Sequence, residues 1–355
     1  MKILLHSDYL KLVEKSGVGR AIYHQKKALE ENHIAYTTNK KEDYDIVHIN
    51  TVFPCSFYMS KIAKRKGKKV VYHAHSTKED FKNSFLGSNL VAPLFKKWLI
   101  KCYNSGDLII TPTPYSKKVL AEYGLRKPII SISNGIDLNF FKKDPKDGKH
   151  FREKYGFNEK DKIIVSVGLY IERKGILDFV ELAKSMPEYK FIWFGYTNLN
   201  TVSKKVRRAV QTEIPNLFFP GYVCKEDIRD AYSGSDLFLF LTHEETEGIV
   251  LLEALAMKIP VLIRDIPIYK DWLIDGENIY KGNDISQFQR KIKGILNQEL
   301  LSLVENGYKV ANERNIKEVG QQLINEYNKL MVQPEKDSIE REINPTGARR
   351  IGVQG

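Results

Sequence analysis

Glu245-Thr246-Glu247-Gly248-Ile249-Val250-Leu251-Leu252-Glu253-Ala254-Leu255-Ala256 joins two kinds of pattern. The run before it, 237–241, is short, apolar and aromatic, which predicts a strand. The run after Gly248 is read as the opening of a helix. Gly248 lets a ligand approach the backbone closely. The new helix offers unpaired N–H groups and the positive end of its dipole, a place for a diphosphate. Glu253 follows Glu245 by eight residues. With the first of these in the loop, one carboxylate sits at a cleft mouth and the other on the first helical turns. There a carboxylate can accept hydrogen bonds from two sugar hydroxyls. The plain alternative is that acids favour the first turn of any helix.

Outward from this stretch, the strand-then-helix order recurs through the chain. Strands are predicted at 2–6, 45–49, 69–73, 108–111 and 129–132, and again at 162–167, 190–194, 217–219, 237–241 and 260–263. Helical patterns fill the gaps, among them 19–32, 117–123, 176–185 and 225–233. Such alternation predicts an α/β protein with two doubly wound parallel sheets, helices on both faces and right-handed crossovers. The boundary falls in the polar stretch after Ser133-Asn134-Gly135-Ile136-Asp137, through 142–148. The expected division is 1–140, 141–315, a helix over 316–331 that crosses back, and a mobile tail over 332–355. Two sheets in series imply a facing cleft, with ligands beyond the carboxyl ends of the strands.

Three further strand-end loops carry chemistry. Gly168-Leu169-Tyr170-Ile171-Glu172-Arg173-Lys174-Gly175 offers two cations for phosphates, or else is a solvated basic turn. Ser16-Gly17-Val18-Gly19-Arg20 is shorter than a dinucleotide fingerprint. His73 and His75 share one face of a strand end, without an evident third metal ligand. Asp43-Tyr44-Asp45 is an Asp-x-Asp pattern at the wrong, amino end of its strand. No metal is expected.

The chain of 355 residues has a net charge of +12. Residues 1–140 hold 23 Lys/Arg against 12 Asp/Glu, and 61–101 alone hold 11 against 2. A field so confined recruits a polyanion, either an acidic lipid surface or nucleic acid. Lys61, Lys64, Arg65, Lys66, Lys68 and Lys69 form one cluster. Beside it, Leu90, Val91, Leu94, Phe95, Trp98, Leu99 and Cys102 recur at helical spacing between Lys96, Lys97 and Lys101. That is the make-up of an interfacial helix, or of an ordinary core helix. No stretch approaches the ~20 apolar residues of a membrane span. The opening MKILLH is read as a strand and not as a leader. Cys55, Cys102 and Cys224 suggest neither a disulfide framework nor a zinc site. No RRM, KH, zinc-finger or helix-turn-helix pattern supports a nucleic-acid partner. The expected place is the cytoplasmic face of the cell membrane, peripherally bound.

Together these motifs resemble the retaining glycosyltransferases of family 4, with the two-Rossmann GT-B fold, over roughly 1–330. Glu245 to Glu253 is the most specific element. Gly17–Gly19, 133–137 and Arg173-Lys174-Gly175 support it. The likeness is nearer still to bacterial enzymes that add a second sugar to monoglycosyl diacylglycerol. It rests there on 15–20, 75–81, 83–85, 191–195, 244–250 and 264–269. The resemblance implies a UDP-glucose or UDP-galactose donor, a glycolipid acceptor and no further cofactor. Glu253 would bind the ribose and Glu245 the donor sugar. Lys174, with Arg173, would neutralise the leaving diphosphate, and His75 would meet a sugar hydroxyl. Gly17, Gly19, Gly168, Gly195, Val223, Gly248 and Ile249 would line the donor. Leu169 departs from the family, where many relatives have Arg, and so does Arg264-Asp265-Ile266, where a Gly-rich run is common. A polyprenyl-linked or soluble glycan is the competing acceptor. The sugar, the linkage and the oligomeric state are not fixed by the sequence.

Overall fold

The computed structural model describes residues 1–9 and 16–332. The reading of 332–355 as a tail therefore falls outside the described residues except for Val332, as does Lys15. The first half carries strands β1 (Lys2–His6), β2 (Ala35–Thr37), β3 (Ile46–Ile49), β4 (Lys69–His73), β5 (Leu108–Thr111) and β6 (Ile129–Ser131). The second carries β7 (Ile163–Val167), β8 (Lys190–Phe194), β9 (Leu217–Gly221), β10 (Leu237–Phe240), β11 (Val261–Arg264) and β12 (Tyr280–Gly282). Helices of eight residues or more are α1 (Gly17–Glu31), α2 (Pro54–Arg65), α3 (Ser88–Tyr103), α4 (Pro114–Ala121), α5 (Pro145–Tyr155) and α6 (Ile176–Ser185). They continue with α7 (Lys225–Gly234), α8 (Ile249–Ala256), α9 (Ile285–Leu296), α10 (Val304–Asn312) and α11 (Ile316–Val332).

All pairings between these strands are parallel, in the orders β2-β1-β3-β4-β5-β6 and β12-β11-β10-β7-β8-β9. The expected α/β class and paired parallel sheets are what the chain forms. The central strands are buried on both faces, which is why they read as continuous apolar runs and not as alternating ones. On the first sheet, Ile3, Leu5, Ile46, Val71 and Ile110 face Leu29 of α1 and Val319, Leu323 and Tyr327 of α11. The opposite face, with Leu4, Val47, Val70 and Tyr72, meets Met59 of α2 and Leu99 of α3. Thus α11, last in sequence, completes the core of the first sheet. The Asn32 side chain fixes this contact by donating to Lys317 O at 3.0 Å.

The chain leaves the first half and returns at adjacent points. Ile136 N–H donates to Arg314 O at 2.9 Å, and Ile316 N–H to Ile136 O at 3.1 Å. Strand order reverses between β1 and β3 in the first sheet, and between β7 and β10 in the second. Ligands of open parallel sheets bind at such reversals, outside the carboxyl ends.

Candidate active site

The second reversal gathers the sequence-predicted loops. Between β10 and α8 lie Glu244, Glu245, Glu247 and Gly248. After β7 come Gly168, Arg173 and Lys174. Gly248 has φ +91°, a left-handed conformation that a side chain would strain, and this turn starts α8 with Ile249 as its first residue. Gly195, with φ +150°, ends β8 against Gly168. A Cβ there would sit 1.8 Å from Gly168 O. Gly195 N–H in turn donates to Gly221 O at 2.9 Å, so β8 ends beside the stretch that leads to Val223. Val223 packs, partly buried, against the core.

Two ion pairs here are largely buried. Lys174 Nζ donates to Glu245 Oε1, with side chains 14% and 9% exposed. Burial holds the Lys174 ammonium below its ordinary pKa, and the Glu245 charge opposes that shift. Glu253, on α8, has no exposed surface. Its Oε1 lies 3.1 Å from Arg20 Nε of α1, and its Oε2 accepts from Tyr232 O–H at 3.3 Å. Burial raises the Glu253 pKa, with Arg20 pulling it back. Arg173 Nη1 donates to Glu244 O at 2.7 Å, and its Nε to Ser84 Oγ at 3.2 Å. Glu244 is pushed up to about 7 by burial and by the Asp80 and Glu245 charges. Asp80 is pushed up to about 6 by burial, against the attraction of Arg173.

The first half grips this loop from outside. Thr113 N-caps α4, which begins with Pro114, and its hydroxyl also donates to Thr246 O at 2.9 Å. Ser116 Oγ donates to the same carbonyl at 3.0 Å. Glu247 accepts from Ser133 Oγ at 2.5 Å, and from the backbone and side-chain nitrogens of Asn134 at 2.9 and 2.8 Å. The 133–137 stretch thus serves as the clasp of the second-half loop. A buried carboxylate with three donors is satisfied, although burial still raises its pKa.

At the first reversal the side chains around His75 are neutral, while Asp8, past β1, lies 3.4 Å from His6 Nε2. His75, past β4, is 8% exposed and its Nε2 lies 2.9 Å from Asn50 Oδ1. Its ring stacks on His73 with centroids 4.2 Å apart. Gly17 and Gly19 open α1, which carries Arg20 to Glu253 and Gln25 into the same buried group as Asn50. The sequence motifs contain Arg20, Asp80, Glu244 and Glu247 but assign them no role, and they leave out Gln25 and Asn50. A signal existed for one of them: Gln25 interrupts the buried face made by Ala21, Ile22, Ala28 and Leu29.

The basic surface is divided. Lys61, Arg65 and Lys66 are exposed, whereas Lys64 pairs with Asp107 and Lys68 with Asp43, each at 2.8 Å, and Lys69 is half-buried. Asp43 and Asp45 thus serve the amino end of the sheet, Asp45 accepting from Lys2 N–H at 2.7 Å. Trp98 donates its indole N–H to Val52 O at 2.6 Å and packs on Phe57. The same turn of α3 buries Leu99 and Cys102. Its amino-terminal half instead exposes Leu90 (86%), Val91 and Leu94, next to exposed Phe85 and Leu86. Among the described residues no helix is long and apolar enough to cross a membrane. No cluster of three His, Cys, Asp or Glu there could hold a metal ion.

Known proteins resemble this chain in sequence and fold. The pattern of "Glycosyltransferase Family 4" matches residues 16–140, and that of "Glycosyl transferases group 1" matches 147–312. The processive diacylglycerol alpha-glucosyltransferase of Acholeplasma laidlawii is 41% identical over 333 residues, 93% of this chain and 99% of that protein. The alpha-galactosylglucosyldiacylglycerol synthase of Streptococcus pneumoniae (strain ATCC BAA-255 / R6) is 26% identical over 72% of this chain and 69% of its own. Among solved structures, Anabaena Alr3699/HepE in complex with UDP-glucose superimposes with a TM-score of 0.75. It covers 93% of this chain and 100% of its own at 18% identity, a likeness of fold.

Proposed function

This chain belongs to the family 4 glycosyltransferases, and we propose that it moves a hexose from a UDP-sugar to a glycolipid, giving an α-linked diglycosyl diacylglycerol. The observation that carries this reading is the 41% identity with the diacylglycerol alpha-glucosyltransferase along nearly the whole of both chains. The paired charges at the second reversal agree with it. Monoglucosyl diacylglycerol is the acceptor proposed, and residues 1–140 the half that holds it. Residues 141–315 hold the nucleotide.

In this reading Glu253 accepts from the ribose hydroxyls and Glu245 from the donor sugar. The N–H groups at Gly248 and Ile249, at the start of α8, face the diphosphate. Lys174 and Arg173 meet charge that develops on the diphosphate as it departs. The C1–O bond to UDP breaks, and UDP leaves with the electron pair. The acceptor hydroxyl bonds to C1 on the same face, and its proton passes to a β-phosphate oxygen. His75 orients a sugar hydroxyl. Contacts between the halves, such as Thr113 and Asn134 with the 244–248 loop, keep water from the reactive centre.

The exposed Lys61, Arg65 and Lys66, with Leu90, Val91 and Leu94, form the proposed contact with an anionic lipid surface. Each cation near such a leaflet contributes ~1 kcal/mol, so Ala at all three positions should lower binding to acidic vesicles by ~10²-fold and leave neutral vesicles unaffected. Unchanged flotation of the triple variant sinks the surface assignment.

The test of function is incubation with labelled UDP-glucose and UDP-galactose in mixed micelles holding diacylglycerol or monoglucosyl diacylglycerol. A diglycosyl lipid from the monoglucosyl acceptor is the expected product. The relative's designation as processive favours a second reading, successive additions starting from diacylglycerol, which would appear as a mono- then diglycosyl series. Transfer only to a water-soluble or polyprenyl-linked glycan overturns both.

A further inference from the structure

Behind His75 lies a buried chain of side chains that the proposed reaction does not use. Tyr327 of α11 has its hydroxyl 2.5 Å from His48 Nδ1. His48 Nε2 is 3.1 Å from His73 Nδ1, which also lies 2.9 Å from Gln25 Nε2. Gln25 Nε2 donates to Asn50 Oδ1 at 2.8 Å, and Asn50 Nδ2 returns a bond to Gln25 Oε1 at 2.9 Å. His75 Nε2 closes the series on Asn50 Oδ1 at 2.9 Å. His48, His73, Gln25, Asn50 and Tyr327 are each at most 3% exposed. The rings of His48, His73 and His75 stack, with centroids 5.2 and then 4.2 Å apart.

A neutral imidazole has one donor and one acceptor, so the bonds fix each other's direction. If Tyr327 O–H donates to His48 Nδ1, then His48 carries its proton on Nε2 and gives it to His73 Nδ1. Gln25 Nε2 points one amide hydrogen at the same nitrogen, whose single lone pair the two donors share, and gives the other to Asn50 Oδ1. That oxygen then accepts the His75 Nε2 proton, which leaves Nδ1 as the acceptor of His75. In this direction one donor, His73 Nε2–H, lacks a partner, and that buried nitrogen has none. Running every bond in reverse would leave His73 Nε2 bare and strand the Tyr327 hydroxyl hydrogen instead, one buried donor either way, so the direction rests on Asn50 Oδ1, which has no hydrogen and accepts from both Gln25 Nε2 and His75 Nε2.

We propose that Tyr327, His48, His73, Gln25 and Asn50 are positioning residues that hold His75 in the Nε2-protonated neutral tautomer, with Nδ1 offered as acceptor to a hydroxyl of the bound sugar. The device spans the first reversal and is anchored on the returning helix α11. Its use in catalysis rests on the glycosyltransferase reading; its tautomer does not. The low-polarity surroundings fit it. Burial holds His48 and His75 down to about 3, and His73 also below its ordinary value. Among the described residues, the titratable groups that bear on these three rings are the rings themselves, beside the neutral Tyr327 hydroxyl. A carboxylate introduced here would therefore change the ring's charge.

Two measurements test the proposal. Histidine ¹⁵N spectra of the whole ligand-free chain, assigned with His75→Gln, read the tautomer without any assay of transfer. His75 is expected with Nε2 protonated and Nδ1 bare, unchanged from about pH 8 to about pH 5. An Nδ1-protonated ring, or one that titrates in that range, overturns the proposal even if the chain transfers sugar. The second compares Asn50→Asp and Asn50→Ala with the natural enzyme, once melting curves show each variant folded. In Asn50→Asp the carboxylate favours the imidazolium, which has no acceptor. Activity should then fall as pH drops, with kcat down ~10-fold or more near pH 6 and the KM for UDP-sugar within ~2-fold. Asn50→Ala should lower kcat without this acid limb. If Asn50→Asp keeps the natural pH profile, the relay does not govern His75. If the natural chain moves sugar from no UDP donor, the functional reading fails while the spectra still decide the tautomer.

Discussion

At the carboxyl end of the second sheet two charged pairs meet: Lys174 with Glu245, Arg20 with Glu253. At the equivalent end of the first sheet, His48, His73, His75, Asn50 and Gln25 meet in a neutral network. Both sets are largely buried, Arg20 least so with 24% of its side chain exposed, so burial alone does not explain the contrast. In the proposed reading, what differs is the ligand each end meets. A departing diphosphate brings charge, and the groups that receive it must be ionised before it arrives. Burial permits that only if the ions are mutually paired. A sugar hydroxyl is neutral and must be pointed, which directional hydrogen bonds do without charge.

Lys174→Ala attacks the charged end hardest. It removes a cation that should act mainly as the diphosphate leaves, so kcat should fall by ~10²–10³. The unpaired Glu245 should also lower the melting temperature. A loss under ~3-fold would mean that the charged end does not serve the departing group. Glu253→Gln should weaken UDP by ~10–100-fold in calorimetric titration, as expected for a charged acceptor exchanged for a neutral one. Uridine should weaken in parallel, because the ribose is the part held. If UDP weakens and uridine does not, Glu253 answers to the phosphates and not to the sugar ring.

The smallest effect belongs to Glu244. Its carboxyl, held up at about 7, keeps a proton in the folded chain that the unfolded chain releases near the ordinary value of 4.5. Such a group makes stability decline as pH rises from there through about 7. Glu244→Gln should flatten that decline, by about 1 kcal/mol or less because the side chain is partly solvated. Melting curves between about pH 5 and about pH 7.5 read it. A decline that stays as steep in the variant points to Asp80, held up at about 6, as its source.

Sequence pattern exposes what is local and hides what is paired across distance. The central strands were legible because burial on both faces leaves an unmistakable apolar run, as in Val70-Val71-Tyr72. The edge strands Ala35–Thr37 and Tyr280–Gly282 were not, since three residues with one neighbour each need no apolar run. Glu245 and Glu253 stood out through spacing. The partners of Glu247 did not, because Ser133 and Asn134 lie more than a hundred positions away. His48 looked like any strand residue until the fold brought Tyr327, 279 positions on, against its ring. In α3 one helical period hides two surfaces, the buried Leu99 and Cys102 and the exposed Leu90 and Leu94. Spacing alone does not tell which turn is docked.

UDP titration of three proteins, the natural chain, Glu253→Gln and Asn50→Ala, tests the division of labour most directly. UDP affinity should fall by ~10-fold or more in Glu253→Gln and stay within ~2-fold in Asn50→Ala, while kcat falls in both. Equal loss of UDP affinity in the two variants would contradict it, since the neutral end would then be holding the nucleotide.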